Sequence, residues 1–280
     1  MPIISISRGS YSRGKEVAER LAERLGYECV SRDILLETCE EFSIPETRLI
    51  KALHDAPSIL DRFTHGRERY ISYFRAAFFK HMVKNNIVYH GLFGHFFLNE
   101  IRHTIKVLII ANMDHRIADE MQREKCSAEE ARYQLKKDDD ERRKWGLSLH
   151  GKDTMDCNLY DLVLNVDIIE VEKVVDILQG IIEDGRFDET PESIALLKQQ
   201  AMIACIHAII VNDSPRATVE INNGVATLGN IEGRLQNDTD HREKTAKRLI
   251  RDYNLQDVVY SKAATSKKDH INPFYNLDVK

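Results

Sequence analysis

The chain opens on a short apolar run, Ile3–Ser7, that ends in Gly9-Ser10-Tyr11-Ser12-Arg13-Gly14-Lys15-Glu16 and passes directly into a helical pattern. A glycine followed after four residues by Gly-Lys, set between a strand and a helix, is a phosphate cradle. The loop turns successive backbone N–H groups toward one anion, and the following helix adds the partial positive charge of its N-terminus. Lys15 brings a full charge to the outer phosphates. The next position departs from the signature, because Glu16 stands where Ser or Thr holds Mg²⁺. Two readings of Glu16 stay open: a metal ligand, direct or through water, or a helix-start carboxylate in a degraded site.

Composition narrows the partners. With 280 residues, a 42% hydrophobic share and a net charge of −5, the chain can bury one large or two ordinary cores and carries no global basic field for nucleic acid. The start lacks a signal-peptide pattern and no run of about 18 apolar residues occurs, so neither export nor a membrane span is expected. Five cysteines without metal or redox spacing read as reduced thiols of a cytoplasmic protein.

Strand and helix patterns alternate through the first two thirds. Expected strands are Ile3–Ser7, Tyr27–Val30, Ile87–Tyr89, Lys106–Ala111 and Leu162–Val166. Expected helices are Lys15–Leu25, Asp33–Glu41, Arg67–Asn85, Met113–Glu124, Ser127–Trp145 and Glu170–Asp184. Val17, Leu21 and Leu25 make an apolar stripe on the first helix, as do Tyr70, Tyr73, Phe74, Phe78 and Met82 on the third. Ser127 and Glu130 form a capping box. The alternation predicts a parallel sheet covered on both faces, with ligands gathering at the carboxyl ends of its strands, where the glycine loop, His90-Gly91 and Asn112 meet. Gly185–Pro191 has linker chemistry. Beyond it follow a helix (Pro191–Val211), a hairpin across Asn222-Asn223-Gly224, a helix (Lys244–Tyr253) and a strand (Asp257–Ser261). The expected division is therefore 1–186, a compact α+β module at 191–262, and a frayed tail at 263–280. The apolar stretch Ala201–Val211 reads as the core helix of that module, or else as an interface helix for a partner or a second copy.

Taken in order, Ile4-Ser-Ile-Ser-Arg8, Gly14-Lys15-Glu16-Val-Ala18, Tyr27–Leu35, Ile87–Gly91, Ser127–Ala131, Asp139-Asp-Glu-Arg142 and Leu159–Asn165 resemble the cytidylate kinase-like family of P-loop kinases. The resemblance implies a P-loop kinase-like α/β fold with a helical lid and a monophosphate-binding insertion. It also implies ATP and Mg²⁺ as cofactors, and transfer of the γ-phosphoryl to a small acceptor such as CMP. Members of that family commonly carry Gly-Arg-Gly after the third strand, where this chain reads Tyr89-His90-Gly91-Leu92. The C-terminal module resembles a BON domain through its element order and Val219-Glu-Ile-Asn-Asn-Gly224-Val-Ala-Thr-Leu228-Gly, which implies a docking role toward a partner protein or membrane surface.

On this reading the phosphate-binding residues are Gly9, Ser10, Tyr11, Ser12, Arg13, Gly14, Lys15 and Glu16. Lys15, Arg142 and Arg143 are the catalytic candidates, since phosphoryl transfer spreads charge that mobile arginines can follow. Arg142 and Arg143 could equally sit on a solvated helix face, pairing with Asp138 and Asp139 at i,i+4. Asp33, His90 and Gly91 are the acceptor-site candidates, with Asp33 otherwise a helix cap. Arg116 and Arg123 are expected at the surface, or else beside the adenine. A rival of another class remains: a non-catalytic nucleotide sensor whose small module reports to a partner.

Overall fold

The structure is a computed structural model that describes residues 2–9, 12–31 and 66–261. Ser10, Tyr11 and Asp33, the expected helix at 33–41 and the expected tail lie outside these. The described chain divides into two compact units. The first takes residues 2–31 and 84–194, the second residues 66–83 and 195–261.

The first unit is built on a five-stranded sheet of β1 (Ile3–Arg8), β2 (Glu28–Val30), β3 (Ile87–His90), β4 (Thr104–Ile110) and β5 (Leu162–Asn165), ordered β2-β3-β1-β4-β5. Every pairing is parallel, with Ile6 opposite His90 on one side and Val107 on the other. The parallel arrangement follows from helices between successive strands, and it places the ends of β1, β3 and β4 side by side.

Alternation along β1 decides what each face meets. Ile4 and Ile6 join Val88, Val107 and Ile109 in a core closed by α1 (Gly14–Leu25) and α6 (Val171–Glu183). Val17, Ala18, Leu21 and Ala22 of α1 are buried in it, and Gly26 ends the helix at φ 66°, donating to Ala22 O and Glu23 O. Arg20 reaches Glu172 at 3.1 Å and Arg24 reaches Asp176 at 2.6 Å across the outer edges of these helices. Ser5 and Ser7 point to the opposite face, toward the short α3 (Gly94–Phe97), where Ser7 meets His95.

α4 (Met113–Glu124) leads to the long α5 (Ala128–His150). Ser127 and Glu130 make the expected reciprocal cap, and hydrogen bonds from Ser127 hold the Glu130 carboxyl below the usual range. α5 runs five residues past the expected Trp145. Gly146 does not break it, because a Cβ there would lie 2.7 Å from Lys152 O; the glycine serves close packing, and Gly151 at φ 63° ends the helix.

The second unit contains α2 (Gly66–Met82), α7 (Pro191–Ile210, entering from the first unit), α8 (Gly233–Asn237) and α9 (Thr239–Tyr253). Its sheet, β6 (Thr218–Asn222), β7 (Val225–Gly229) and β8 (Asp257–Tyr260), has β7 in the middle. Asn223 and Gly224, at φ 49° and 77°, close the expected hairpin. Ile206, Ile210, Leu228, Leu249 and Val258 form the core, so Ala201–Val211 supplies a core helix. α7 is also the one described helix whose length and mean hydropathy, 1.5, would suffice to cross a membrane. The α2 stripe is buried as its periodicity predicts. Its helix lies in this unit, although in sequence it falls between β2 and β3. Ser72 Oγ stands 2.6 Å from His207 Nδ1, and Arg75 donates to Gln200 at 3.0 Å.

Candidate functional site

The loop after β1 is fastened before it reaches α1. Gly9 N donates to Ile109 O at 3.3 Å, and the buried Ser12 hydroxyl is shared between Gly9 O (3.0 Å) and Ile109 O (2.9 Å). Ser12 is thereby spent on the backbone. Arg13 turns the chain into the helix at φ 57°, a left-handed conformation that costs a non-glycine residue about 1–2 kcal/mol. Gly14 is required for another reason: a Cβ there would lie 2.8 Å from Arg8 Cβ, so the β1 end and the helix start could not approach.

Glu16 is claimed by two cations. Arg13 Nε donates to one carboxylate oxygen at 3.0 Å and Arg20 to the other at 2.8 Å. Lys15 lies along α1, 3.5 Å from Glu19, with 60% of its side chain exposed. Arg8, Arg13, Lys15 and Arg123, with Glu16, Glu19, Asp119 and Glu120, line an open cleft of ≈ 270 Å³ beside the helix start. Such cations beside a helix N-terminus fit an oligophosphate. A protein-held metal fits less well: both Glu16 oxygens are engaged, and among the described residues no group of three His, Cys, Asp or Glu converges.

Arg116 corrects the surface expectation. It is 7% exposed, pairs with Asp139 at 2.7 Å, and its guanidinium carbon lies 3.7 Å from where a Gly9 Cβ would stand. The cue was its place one turn into the helix after β4, close to the strand ends. The i,i+4 pairs expected on α5 give way to longer reaches. Arg142 donates to Arg8 O at 2.9 Å and Arg143 pairs with Asp153 at 2.7 Å. Arg123, by contrast, is 43% exposed and holds the buried Glu120.

Ser7, Arg8, Gly9, Gly91, His95, Asp139, Arg142 and Tyr160 are among the residues around a recess of only ≈ 20 Å³, which shares Arg8 with the cleft. Tyr160 donates to Thr154 O at 2.7 Å, and Ser7 Oγ meets His95 Nδ1 at 2.9 Å. His95 Nε2 is buried with no hydrogen-bond partner among the described residues. Burial pushes His95 down to about 3, with His150 and Lys106 adding to the effect, and Tyr160 up to about 12. His90, at the end of β3, is lowered to about 4, first by burial and then by Arg8 and Lys15. The structure thus gathers Gly9, Ser12, Arg13, Gly14, Lys15, Glu16, His90, Gly91 and Arg142 at one end of the sheet, while Arg143 turns to Asp153.

The model of the cytidylate kinase-like family matches residues 3–168, more than half of the chain. The chain belongs to the cytidylate kinase-like family. An uncharacterized protein from Eubacterium ventriosum shares its fold, at 19% identity over 65% of this chain and 99% of its own, with a TM-score of 0.51. A shikimate kinase from Bacteroides thetaiotaomicron (12% identity, 65% of this chain, 98% of its own, TM-score 0.42) is more distant. So is a dephospho-CoA kinase from Campylobacter jejuni (18% identity, 65% and 98%, TM-score 0.34). No curated protein matches the chain. Within the kinase-like fold the position after β3 is neutral: Tyr89-His90-Gly91 ends the strand with a histidine held uncharged, where family members commonly place an arginine.

Proposed function

We propose that the protein binds ATP at the loop 9–16 and transfers the γ-phosphoryl to a small acceptor, with CMP the first acceptor to test. The observation that carries the reading is the ≈ 270 Å³ cleft at the start of α1, where Arg8, Arg13, Lys15 and Arg123, balanced by Glu16, Glu19, Asp119 and Glu120, stand beside the helix N-terminus. In the reaction an acceptor oxygen bonds to the γ-phosphorus as the bond to the β–γ bridging oxygen breaks, and ADP leaves. Lys15, swung off Glu19, and Arg142 would neutralise charge on the moving group; loop amides and the helix start would orient it. Mg²⁺ belongs to this reading as an ion carried by the nucleotide phosphates. Gly91 and His90 would border the acceptor, together with Asp33. The setting is cytoplasmic, where ATP is supplied.

The second reading, a nucleotide sensor without turnover, is favoured by Glu16. Its carboxylate is held by Arg13 and Arg20, so a metal at that position would compete with two guanidinium groups for its oxygens. In that reading the second unit, BON-like in its strand and helix order, docks a partner. ATP turnover with each nucleoside monophosphate, on the natural chain and on Lys15→Ala, separates the two. Transfer abolished by Lys15→Ala supports the kinase. ATP binding without transfer to any acceptor supports the sensor, and absence of ATP binding defeats both.

A further inference from the structure

We infer that the small recess beside Arg8 is a socket for one hydroxyl group of the acceptor, and that His95 is the residue that selects it. This rests on the transfer reading above and narrows its acceptor to compounds that carry a hydroxyl. Three observations carry it. The recess, at ≈ 20 Å³, admits a single water-sized group. His95 lines it, only 3% exposed, with Nδ1 2.9 Å from Ser7 Oγ and with Nε2 unpartnered among the described residues. Holding His95 there costs strain: Phe93 opens α3 at φ 71°, and a Cβ on Gly94 would stand 2.7 Å from the Tyr89 ring.

Size and lining decide which group enters. A phosphate or carboxylate exceeds one water in volume and brings charge against His95 and Tyr160, which burial keeps neutral at physiological pH. An ammonium would lie near the Arg142 guanidinium, and the one carboxylate in the lining, Asp139, is already held by Arg116 at 2.7 Å. A methyl fits but leaves the buried Nε2 without a partner. A hydroxyl fits and serves either tautomer of His95, donating to a bare nitrogen or accepting from an N–H. Tyr160 keeps the imidazole in place, with its ring 4.8 Å away and its own hydroxyl tied to Thr154 O at 2.7 Å. Arg142 lines the same recess, so a hydroxyl held there fixes the acceptor beside the cation proposed for the moving phosphoryl.

The test measures ATP-dependent transfer by the full chain to CMP, UMP, AMP, GMP, ribose and glycerol, each beside the form that lacks one hydroxyl. The natural chain is compared with His95→Phe and His95→Gln. In the natural chain, removing the held hydroxyl from the best acceptor is expected to lower kcat/KM about tenfold. In His95→Phe the KM of that acceptor is expected to rise about tenfold, with ATP affinity unchanged by calorimetry and no further loss when the hydroxyl is removed. His95→Gln, which keeps a polar tip, is expected to recover most of the loss. Should His95→Phe fail to fold, the nitrogen NMR resonance of His95 Nε2 in the natural chain is expected to move with that acceptor and not with the form lacking the hydroxyl. Transfer with equal KM in all three chains, or an Nε2 resonance that the acceptor leaves in place, overturns the inference and spares the function. A hydroxyl effect undiminished in His95→Phe overturns it too, since the group is then held elsewhere. No transfer to any compound removes the transfer reading and this inference with it.

Discussion

Ser12 and Ile109 are 97 residues apart in sequence, yet the Ser12 hydroxyl, fully buried, donates to Ile109 O at 2.9 Å and ties the glycine loop to the end of β4. The same proton is shared with Gly9 O. Removing it leaves each carbonyl its backbone donor, Gly9 N on Ile109 O and Ser12 N on Gly9 O, so the loss is that of one shared hydrogen bond, about 0.5–1.5 kcal/mol. Ser12→Ala is expected to lower stability by about 0.5–1.5 kcal/mol in urea unfolding and to weaken tripolyphosphate binding as the loop loosens. An unchanged unfolding midpoint would show that the tether contributes nothing.

Gly14→Ala tests the approach of β1 to α1. Its new methyl would lie 2.8 Å from Arg8 Cβ, a clash between two short, stiff atoms that only backbone movement can relieve. Overpacking of this kind costs about 1–3 kcal/mol. We expect that loss, and with Arg8 displaced a drop of at least about tenfold in anion affinity by calorimetry. Affinity kept at the natural level would mean that Arg8 takes no part in binding.

Arg13→Gly makes an opposite trade. Glycine accepts φ 57° without penalty, while the lost pair with Glu16 is about half exposed and contributes little. Stability is expected to rise by about 0.5–1 kcal/mol, and phosphate binding to weaken severalfold because one cation leaves the cleft. A lower melting temperature for the glycine variant would refute the strain argument.

Acid stability follows from the buried histidines. His90 and His95 are held at about 4 and about 3, below the ordinary 6.5, with burial the first cause in each. The unfolded chain therefore takes up protons that the folded chain refuses. Their contribution is complete above pH 6.5 and is lost as pH falls from 6.5 toward 4 and 3. The melting temperature should drop through that window, less steeply in His95→Gln. A melting temperature level from pH 6.5 to 4.5 would contradict the assignment.

The regular elements were legible because they rest on local rules. The fourfold stripe of Val17 and Leu21, the Ser127–Glu130 box and the Asn223-Gly224 turn each specify structure within a few residues, and each is found. What sequence hid was long-range. Arg116 and Asp139 are 23 residues apart on different helices, and nothing in either neighbourhood favours that pair over Asp139 with Arg143. Ser12 read as a phosphate-loop residue, because its partners are carbonyls whose place depends on β1–β4 register. The short α3 begins at Phe93 with φ 71°, a conformation that residue type does not advertise. The membership of α2 in the second unit was equally hidden, since its stripe records that it is buried and not by what.

That placement of α2 has a consequence for the order of events during synthesis. The helix leaves the ribosome more than a hundred residues ahead of His207 and Gln200, the side chains that receive Ser72 and Arg75. Until then Ser72 and Arg75 lack the partners they hold in the finished protein. The nascent chain thus carries a helix whose polar side chains complete their bonds only after β3, β4 and β5 have been added, and a translational stall near residue 190 would leave them open to non-native contacts.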